Sequence, residues 1–120
     1  MNFAFSEEQE ELRRIVRQFM ESYDLLVTPT VAVQPFPVEQ PYPTRIGDQE
    51  LTSYIDWMFL TFVITLTGCP ALSLPCGLTA EGLPVGLQLV GRPHGDAELL
   101  GAALLLEQAL GFSRRVPLGL

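Results

Sequence analysis

The chain has 120 residues, a formal net charge of −7 and 48% hydrophobic residues. This length suits one small domain with a single core, and the apolar fraction excludes a disordered tail. The acidic balance disfavours binding to nucleic acid or to an anionic membrane, because both require clustered basic side chains.

All seven basic residues are arginines, so the chain contains no lysine. Cys69 and Cys76 lie in apolar segments without the paired spacing of a zinc site, and we expect two buried, reduced thiols. We predict no metal and no other cofactor. The longest apolar run is shorter than the ~20 residues of a membrane span, and charged residues stand where a signal peptide would be apolar. The chain is therefore predicted to be cytoplasmic.

The first predicted element is an amphipathic helix over about residues 7–22. Ser6 and Gln9 have the spacing of a capping box, in which each side chain bonds to the other's backbone amide. Apolar residues then recur at helical spacing, at Leu12, Ile15, Val16 and Phe19.

A short strand and a proline-rich loop follow. Residues 24–28 form a continuous apolar run, which predicts a strand buried on both faces. The segment from Pro29 to Gly47 holds five prolines, Pro29 included, which prevent either a helix or a strand ladder. It is predicted to be an extended loop or a linker.

A second helix is predicted over about residues 53–66, capped by Thr52 or Ser53 and ended by Gly68 and Pro70. Its apolar residues lie all round the helix. This pattern is typical of a helix buried within a larger body.

The remaining elements are a hairpin over about residues 71–90 and a last helix over 97–110. The hairpin strands alternate at period two, and both are expected to be central in the sheet. Asp96 is predicted to cap the last helix and Gly111 to terminate it, before an irregular tail over 113–120.

Two segments carry a family resemblance. The sequences TGCPALSLPCG at 67–77 and GLPVGLQLVGRP at 82–93 closely resemble the C-terminal end of amidase-signature enzymes. The likeness extends from YDLLVTPT at 23–30 through the last helix, over about residues 20–112. It implies an α/β chain with a partial amidase-signature fold, in which a short mixed sheet is flanked by the three helices. We divide the chain into the helix 1–22, an amidase segment 23–112 and the tail.

The resemblance also implies a reaction that this chain lacks the residues to perform. Members of the family cleave amides with a Ser, cis-Ser, Lys triad, in which a neutral lysine relays a proton through the bridging serine to activate the nucleophile. Those residues lie upstream of the matching segment in the family. Here the chain has no lysine and no Gly-Gly-Ser-Ser-Gly run, so no catalytic residue is assigned.

Candidate substrate-pocket residues come from the same resemblance, since the family's helix before the Thr-Gly-x-Pro turn lines the acyl side of the pocket. The matching residues here are Tyr54, Trp57, Met58, Thr61 and Phe62. Glutamine-using relatives usually carry an acid at the position of Met58, and a thioether cannot hold an ammonium group. An apolar or aryl amide is thus the expected substrate; the alternative is that these side chains are only core.

The first twenty residues instead resemble the opening helix of acyl-CoA dehydrogenases, with a generic amphipathic helix as the alternative.

Among isolated polar residues, His94 is interpreted as an exposed loop imidazole, with a base acting with Ser73 or Asp96 as the alternative. Arg92 is expected to bond backbone carbonyls and so position its loop.

Two main functions remain open from the sequence, beside a weaker third one, an acyl-CoA dehydrogenase-related protein. The first is a fragment or remnant of an amidase, inactive alone, so that whether the chain is itself an enzyme stays uncertain. The second is a non-catalytic binding or scaffold protein that associates with itself or with a complementary amidase chain.

Overall fold

A computed structural model describes residues 6–111, so the predicted tail lies outside the described residues. A central antiparallel sheet lies between two helices on one face and one helix on the other. The elements in chain order are α1 (Glu7–Ser22), β1 (Leu26–Pro29), β2 (Arg45–Ile46), β3 (Gln49–Glu50), a 3-10 turn (Asp56–Met58), α2 (Phe59–Thr67), β4 (Ala71–Leu78), β5 (Pro84–Val90) and α3 (Asp96–Leu110).

The sheet has the strand order β1-β5-β4, and both pairings are antiparallel. The α/β class is confirmed, but the pairings among the described strands are not mixed. Only β5 is central, whereas both hairpin strands were expected to be. This correction has a physical reason, since an alternating pattern shows that two faces differ and does not show how many neighbours a strand has.

Neighbouring residues of β5 divide the core into two clusters. Val90 packs with Met20 of α1 and Ile64 of α2, while Leu89 packs with Leu99 and other residues of α3. Because successive side chains of a strand point to opposite faces, α1 and α2 cover one face of the sheet and α3 covers the other.

The predicted start of α1 is confirmed. The Ser6 hydroxyl accepts a hydrogen bond from the Gln9 amide at 3.2 Å, and the Gln9 side chain accepts from the Ser6 amide at 2.9 Å. The helix then runs to Ser22, as its apolar spacing indicated.

The first strand differs from its prediction. It spans Leu26–Pro29, and its side chains alternate between partly buried and exposed, with Val27 46% exposed. The continuous apolar run predicted burial on both faces, but β1 lies at an edge of the sheet, where one of its faces stays open among the described elements. The loop after it contains the short ladder of β2 and β3, which the prolines had been expected to prevent.

Both later helices begin away from their predicted caps. The second predicted helix, 53–66, starts with the 3-10 turn at Asp56 and becomes α-helical only at Phe59. The third has Gly95 at its N-cap position and Asp96 as its first residue, and no side chain caps it. The Gly95 N–H bonds to the Arg92 carbonyl in the turn that precedes the helix. Gly68 and Gly111 end α2 and α3 in the left-handed conformation, as predicted.

Arginines from distant segments cap two helix C-termini. Arg92 donates from Nε to the carbonyls of Met20 and Tyr23 at 3.3 and 3.2 Å, as its predicted role required, and pairs with Asp24 at 3.0 Å. Arg17 donates to the carbonyl of Thr67 at the end of α2 at 2.9 Å. Each guanidinium thus satisfies carbonyls that have no partner within their own helix.

We expect Arg92→Met to lower the free energy of unfolding by about 1–2 kcal/mol, since it leaves the α1 carbonyls without their charged donor. Urea unfolding followed by circular dichroism measures the change. Arg14→Met is the matched control, because Arg14 bonds to Glu11 on the open surface of α1, and its midpoint should stay at the wild-type value. Equal midpoints for the two variants would contradict the capping role.

Candidate functional site

The turn before α2 is organised by the Asp56 carboxylate. It accepts hydrogen bonds from the backbone amides of Thr52 and Ser53 at 2.8 and 2.9 Å and from both of their hydroxyls. The bond from the Ser53 hydroxyl, followed by those from the two amides, lowers the pKa of Asp56 from its ordinary value. The segment 52–55 is therefore folded back onto Asp56, which explains why the helix starts later than predicted.

Four aromatic rings continue from this turn into the proline-rich loop. Trp57 makes edge contacts with Phe36 at 5.6 Å and Tyr54 at 6.2 Å, and Tyr54 contacts Tyr42 at 5.8 Å. All three contacts are close to perpendicular, which is a favourable geometry for ring quadrupoles. These ring contacts pack the loop against the 3-10 turn and fix the position of Trp57.

Beside Trp57 lies a cleft of about 340 Å³. Its walls are residues 29–36 of the loop, Trp57, and residues 84–86 at the start of β5. No ionisable side chain is among these lining residues. The cleft is consequently suited to an uncharged group of small size.

Thr30, one of the lining residues of this cleft, belongs to a hydroxyl pair. The hydroxyls of Thr30 and Ser73 are 2.8 Å apart, and either can donate to the other. A Cβ atom at Gly86 would lie 2.8 Å from the Ser73 oxygen and 2.9 Å from the Thr30 oxygen. Only a residue without a side chain leaves room for this pair, because such distances are closer than packed atoms tolerate.

Gln88 joins the sheet to α2 on the same side of the sheet. Its carboxamide donates to the Thr28 hydroxyl at 3.2 Å and to the Leu60 carbonyl at 3.3 Å, and the residue is 5% exposed. A buried amide with two acceptors fixes the position of α2 over the sheet. The helix that follows Trp57 is thereby set at a defined distance from the cleft.

The structure does not bring the five sequence-derived pocket residues into one cavity. Trp57 lines the cleft, whereas Thr61 lines a second cavity of about 430 Å³ that also contacts His94 and Asp96. Tyr54 is 52% and Phe62 42% exposed. Met58 is partly buried, and its carbonyl accepts from the Thr61 hydroxyl at 2.8 Å.

Sequence reasoning missed most of the cleft wall. Residues 29–36 were interpreted only as a loop, and the close approach at Gly86 was not anticipated. The proline density did indicate a fixed, extended segment, but nothing in the sequence identified which strand it would face. The site is therefore determined by contacts between residues that are far apart in the sequence, and local sequence patterns do not reveal it.

His94 does not form a catalytic pair in the part of the chain that the structure describes. It is exposed, with a φ of 63°, and the Ser73 hydroxyl bonds to Thr30 instead.

Both thiols are free, with Cys69 buried and Cys76 partly buried, so the expectation of two buried thiols is met only at Cys69. Within residues 6–111, no three His, Cys, Asp or Glu side chains lie close enough to hold a metal ion. No helix in that range is long and apolar enough to cross a bilayer.

Comparison with known proteins settles the family. Residues 1–100 match the sequence profile of the family described as Amidase. The chain belongs to the amidase family. It is 38% identical over 109 residues to a glutamyl-tRNA(Gln) amidotransferase subunit from Alkaliphilus metalliredigens, covering 91% of this chain and 21% of that protein. It is 37% identical over 100 residues to an acylamidase from Rhodococcus erythropolis, covering 82% and 21%.

Solved amidase structures have the same fold. A bacterial aryl acylamidase of the amidase-signature family superposes with a TM-score of 0.81 at 26% identity, covering 88% of this chain and 22% of that one. A second amidase gives a TM-score of 0.73 at 30% identity, with 87% and 24% covered. The amidase-signature resemblance is thus confirmed, and the chain spans about a fifth of the length of the relatives it matches.

The family match corrects the interpretation of the first twenty residues. It begins at residue 1, so that these residues lie within the amidase match, and the likeness to acyl-CoA dehydrogenases has no support. The misleading signal was a capped acidic helix, a pattern common to many unrelated proteins.

We expect Asp56→Asn to make the fold less sensitive to acid. Because the folded pKa lies below the unfolded one, the carboxylate contributes stability above about pH 4 that is lost as the pH falls through the folded pKa. The variant should therefore be less stable at pH 7, and its urea midpoint should fall less than that of the wild type between about pH 7 and pH 3. Asp48→Asn, in the exposed turn between β2 and β3, is the control that should keep the wild-type difference. An unchanged difference in Asp56→Asn would contradict the role of these bonds.

Proposed function

We propose that this chain supplies one wall of the substrate site of an amide hydrolase and is catalytically silent alone. The observation that carries the proposal is the family match over residues 1–100 of a chain without lysine. In this proposal the cleft beside Trp57 and the sheet that supports it form the wall, and the chain has no lysine to supply the amine that the family's chemistry requires.

The chemical argument concerns proton transfer. A serine hydroxyl attacks an amide carbonyl only when a base removes its proton, and in this family a lysine amine performs this step through a second serine. Backbone amides must then stabilise the tetrahedral oxyanion. Hydrolysis by this chain would therefore need a complementary polypeptide that carries the serines and the lysine.

The proposed substrate is an apolar or aryl amide. The cleft beside Trp57 has no ionisable lining residue. By the family resemblance, Met58 takes the position at which glutamine-using members usually carry an acid. Tyr54, Thr61 and Phe62 remain proposed contacts on the acyl side of that substrate. An acylamidase and a fatty acid amide hydrolase among the similar proteins are consistent with this class.

We expect the purified chain to release no p-nitroaniline from p-nitroacetanilide above the uncatalysed background, because it has no lysine to relay the proton. Absorbance of the released p-nitroaniline is the readout. Mixing the chain with the remaining portion of an amidase-family protein should restore hydrolysis, with each half inactive by itself. Turnover by this chain alone that disappears in Ser73→Ala would overturn the proposal.

A second candidate function is association without catalysis, with a copy of itself or with a complementary amidase chain. The outer half of α3 carries leucines that no described element covers, with Leu100 64%, Leu104 54% and Leu105 68% exposed. Exposed apolar surface of this kind marks contact with another chain. One similar protein is itself part of a multi-chain amidotransferase, as its name as a subunit states.

If α3 is the contact surface, the purified chain should run as an oligomer by light scattering after gel filtration. The double change Leu100→Gln with Leu105→Gln should shift it toward monomer, since it removes apolar area from the interface. Val38→Gln, on a loop residue that is 92% exposed, is the control and should leave the oligomer intact. A wild-type monomer at micromolar concentration would contradict self-association.

A further inference from the structure

The cleft beside Trp57 has three properties that bear on what it binds. Three proline rings and two aromatic rings form its walls, at Pro29, Pro35, Pro84, Phe36 and Trp57. Its volume of about 340 Å³ is at the lower end of the range for small-molecule sites. Flat, rigid walls of this kind suit a single planar ring.

The polar end of the cleft is equally defined. Thr30 and Gly86 both line it, and the Thr30 hydroxyl is bonded to that of Ser73. Two hydroxyls carry two protons, of which one is used between them, so the other proton and the remaining lone pairs are available to a third group. The pair can donate to a carbonyl or accept from an N–H.

Backbone contacts fix this pair in position. The Thr30 amide donates to the Gly86 carbonyl at 3.1 Å, and Ser73 stands opposite Gln88 in the β4–β5 ladder. Thr30, the residue after β1, and Ser73 in β4 therefore approach each other across the central strand. A side chain at Gly86 would separate them, which is why the missing Cβ matters.

We infer that this cleft binds one uncharged aromatic ring that carries a hydrogen-bonding group, with the Thr30–Ser73 hydroxyl pair as its polar anchor. All of the lining residues named here belong to this chain, and binding requires no triad. The inference rests on the proposed function only for the choice of an amide as the probe.

Trp57 makes the test specific to this site, because it is the only tryptophan in the chain and lies in the cleft wall. Benzamide is the probe, and Trp57 fluorescence is followed during titration of the full chain. We expect a saturable change with a dissociation constant of roughly 1 mM, as is usual for so small a ligand. Benzoate and benzylamine should give no saturable change, since the lining has no counter-ion for either charge.

Two pairs of variants separate the anchor from general effects on folding. Thr30→Val should weaken benzamide binding about fivefold, the value of one lost hydrogen bond. Thr65→Val makes the same change on α2, where the hydroxyl bonds to the Thr61 carbonyl of its own helix, and should bind as the wild type does. Gly86→Ala should weaken binding at least as much as Thr30→Val, while Gly77→Ala, whose Cβ meets nothing within 4 Å, should not.

The inference is overturned if benzamide causes no saturable change in Trp57 fluorescence, or if Thr30→Val and Gly86→Ala bind it as tightly as their controls. Circular dichroism of every variant identifies any that fail to fold, and Thr30→Val, a change of similar volume, decides the outcome if Gly86→Ala unfolds. This experiment measures binding and not hydrolysis. A negative result would overturn the aromatic site alone, because the proposed hydrolase role is tested separately by turnover after the chain is mixed with the remaining portion of an amidase-family protein.

Discussion

The central strand β5 is the constraint on which the structure depends. Leu89 and Val90 are both fully buried, yet they point to opposite faces and belong to separate clusters. Every helix of the described chain packs against one of these two clusters, and both edge strands of the sheet bond to β5. Burying two large side chains side by side stabilises the fold by about 3–6 kcal/mol. Among the described strands, no other makes so many elements depend on it.

The same strand also determines the candidate site. Gly86, Gln88 and Val90 occupy every second position along β5, on the face that α1 and α2 cover. The first has no side chain, the second has an amide and the third is apolar. Val90 fills the core, Gln88 holds α2, and Gly86 leaves space for the hydroxyl pair. The same strand thus contributes to the core at its Val90 end and to the cleft at its Gly86 end.

The sequence predicted well the features that depend on neighbouring residues. The capping box at Ser6, the left-handed helix ends at Gly68 and Gly111, and the antiparallel hairpin are each governed by residues a few positions apart. It failed where a side chain folds the backbone back onto itself, as when the Asp56 carboxylate delays α2. The cleft could not be predicted because it depends on distant residues, since Thr30 and Ser73 are separated by 43 positions in the chain.

The exposed apolar residues are best understood from the share of the family fold that the chain contains. Phe59 and Phe62 on α2 and several leucines on α3 are exposed here, although the apolar pattern of α2 predicted a helix buried within a larger body. The relatives are about five times as long as the matching segment. The expected burial of α2 is therefore not met among the described residues, and a helix that is apolar all round is exposed on part of its surface here.

The arginines that cap α1 and α2 from other parts of the chain have a consequence for the cooperativity of folding. Neither α1 nor α2 has a basic residue in its own last turn, and the charge that completes each end comes from Arg92 or Arg17, far away in the chain. A peptide comprising α1 alone would fray at its C-terminus, and α2 would do so without α1 beside it. Helix formation and sheet assembly are in this way coupled, because α1 is completed by the residue that follows the central strand and α2 is completed by α1.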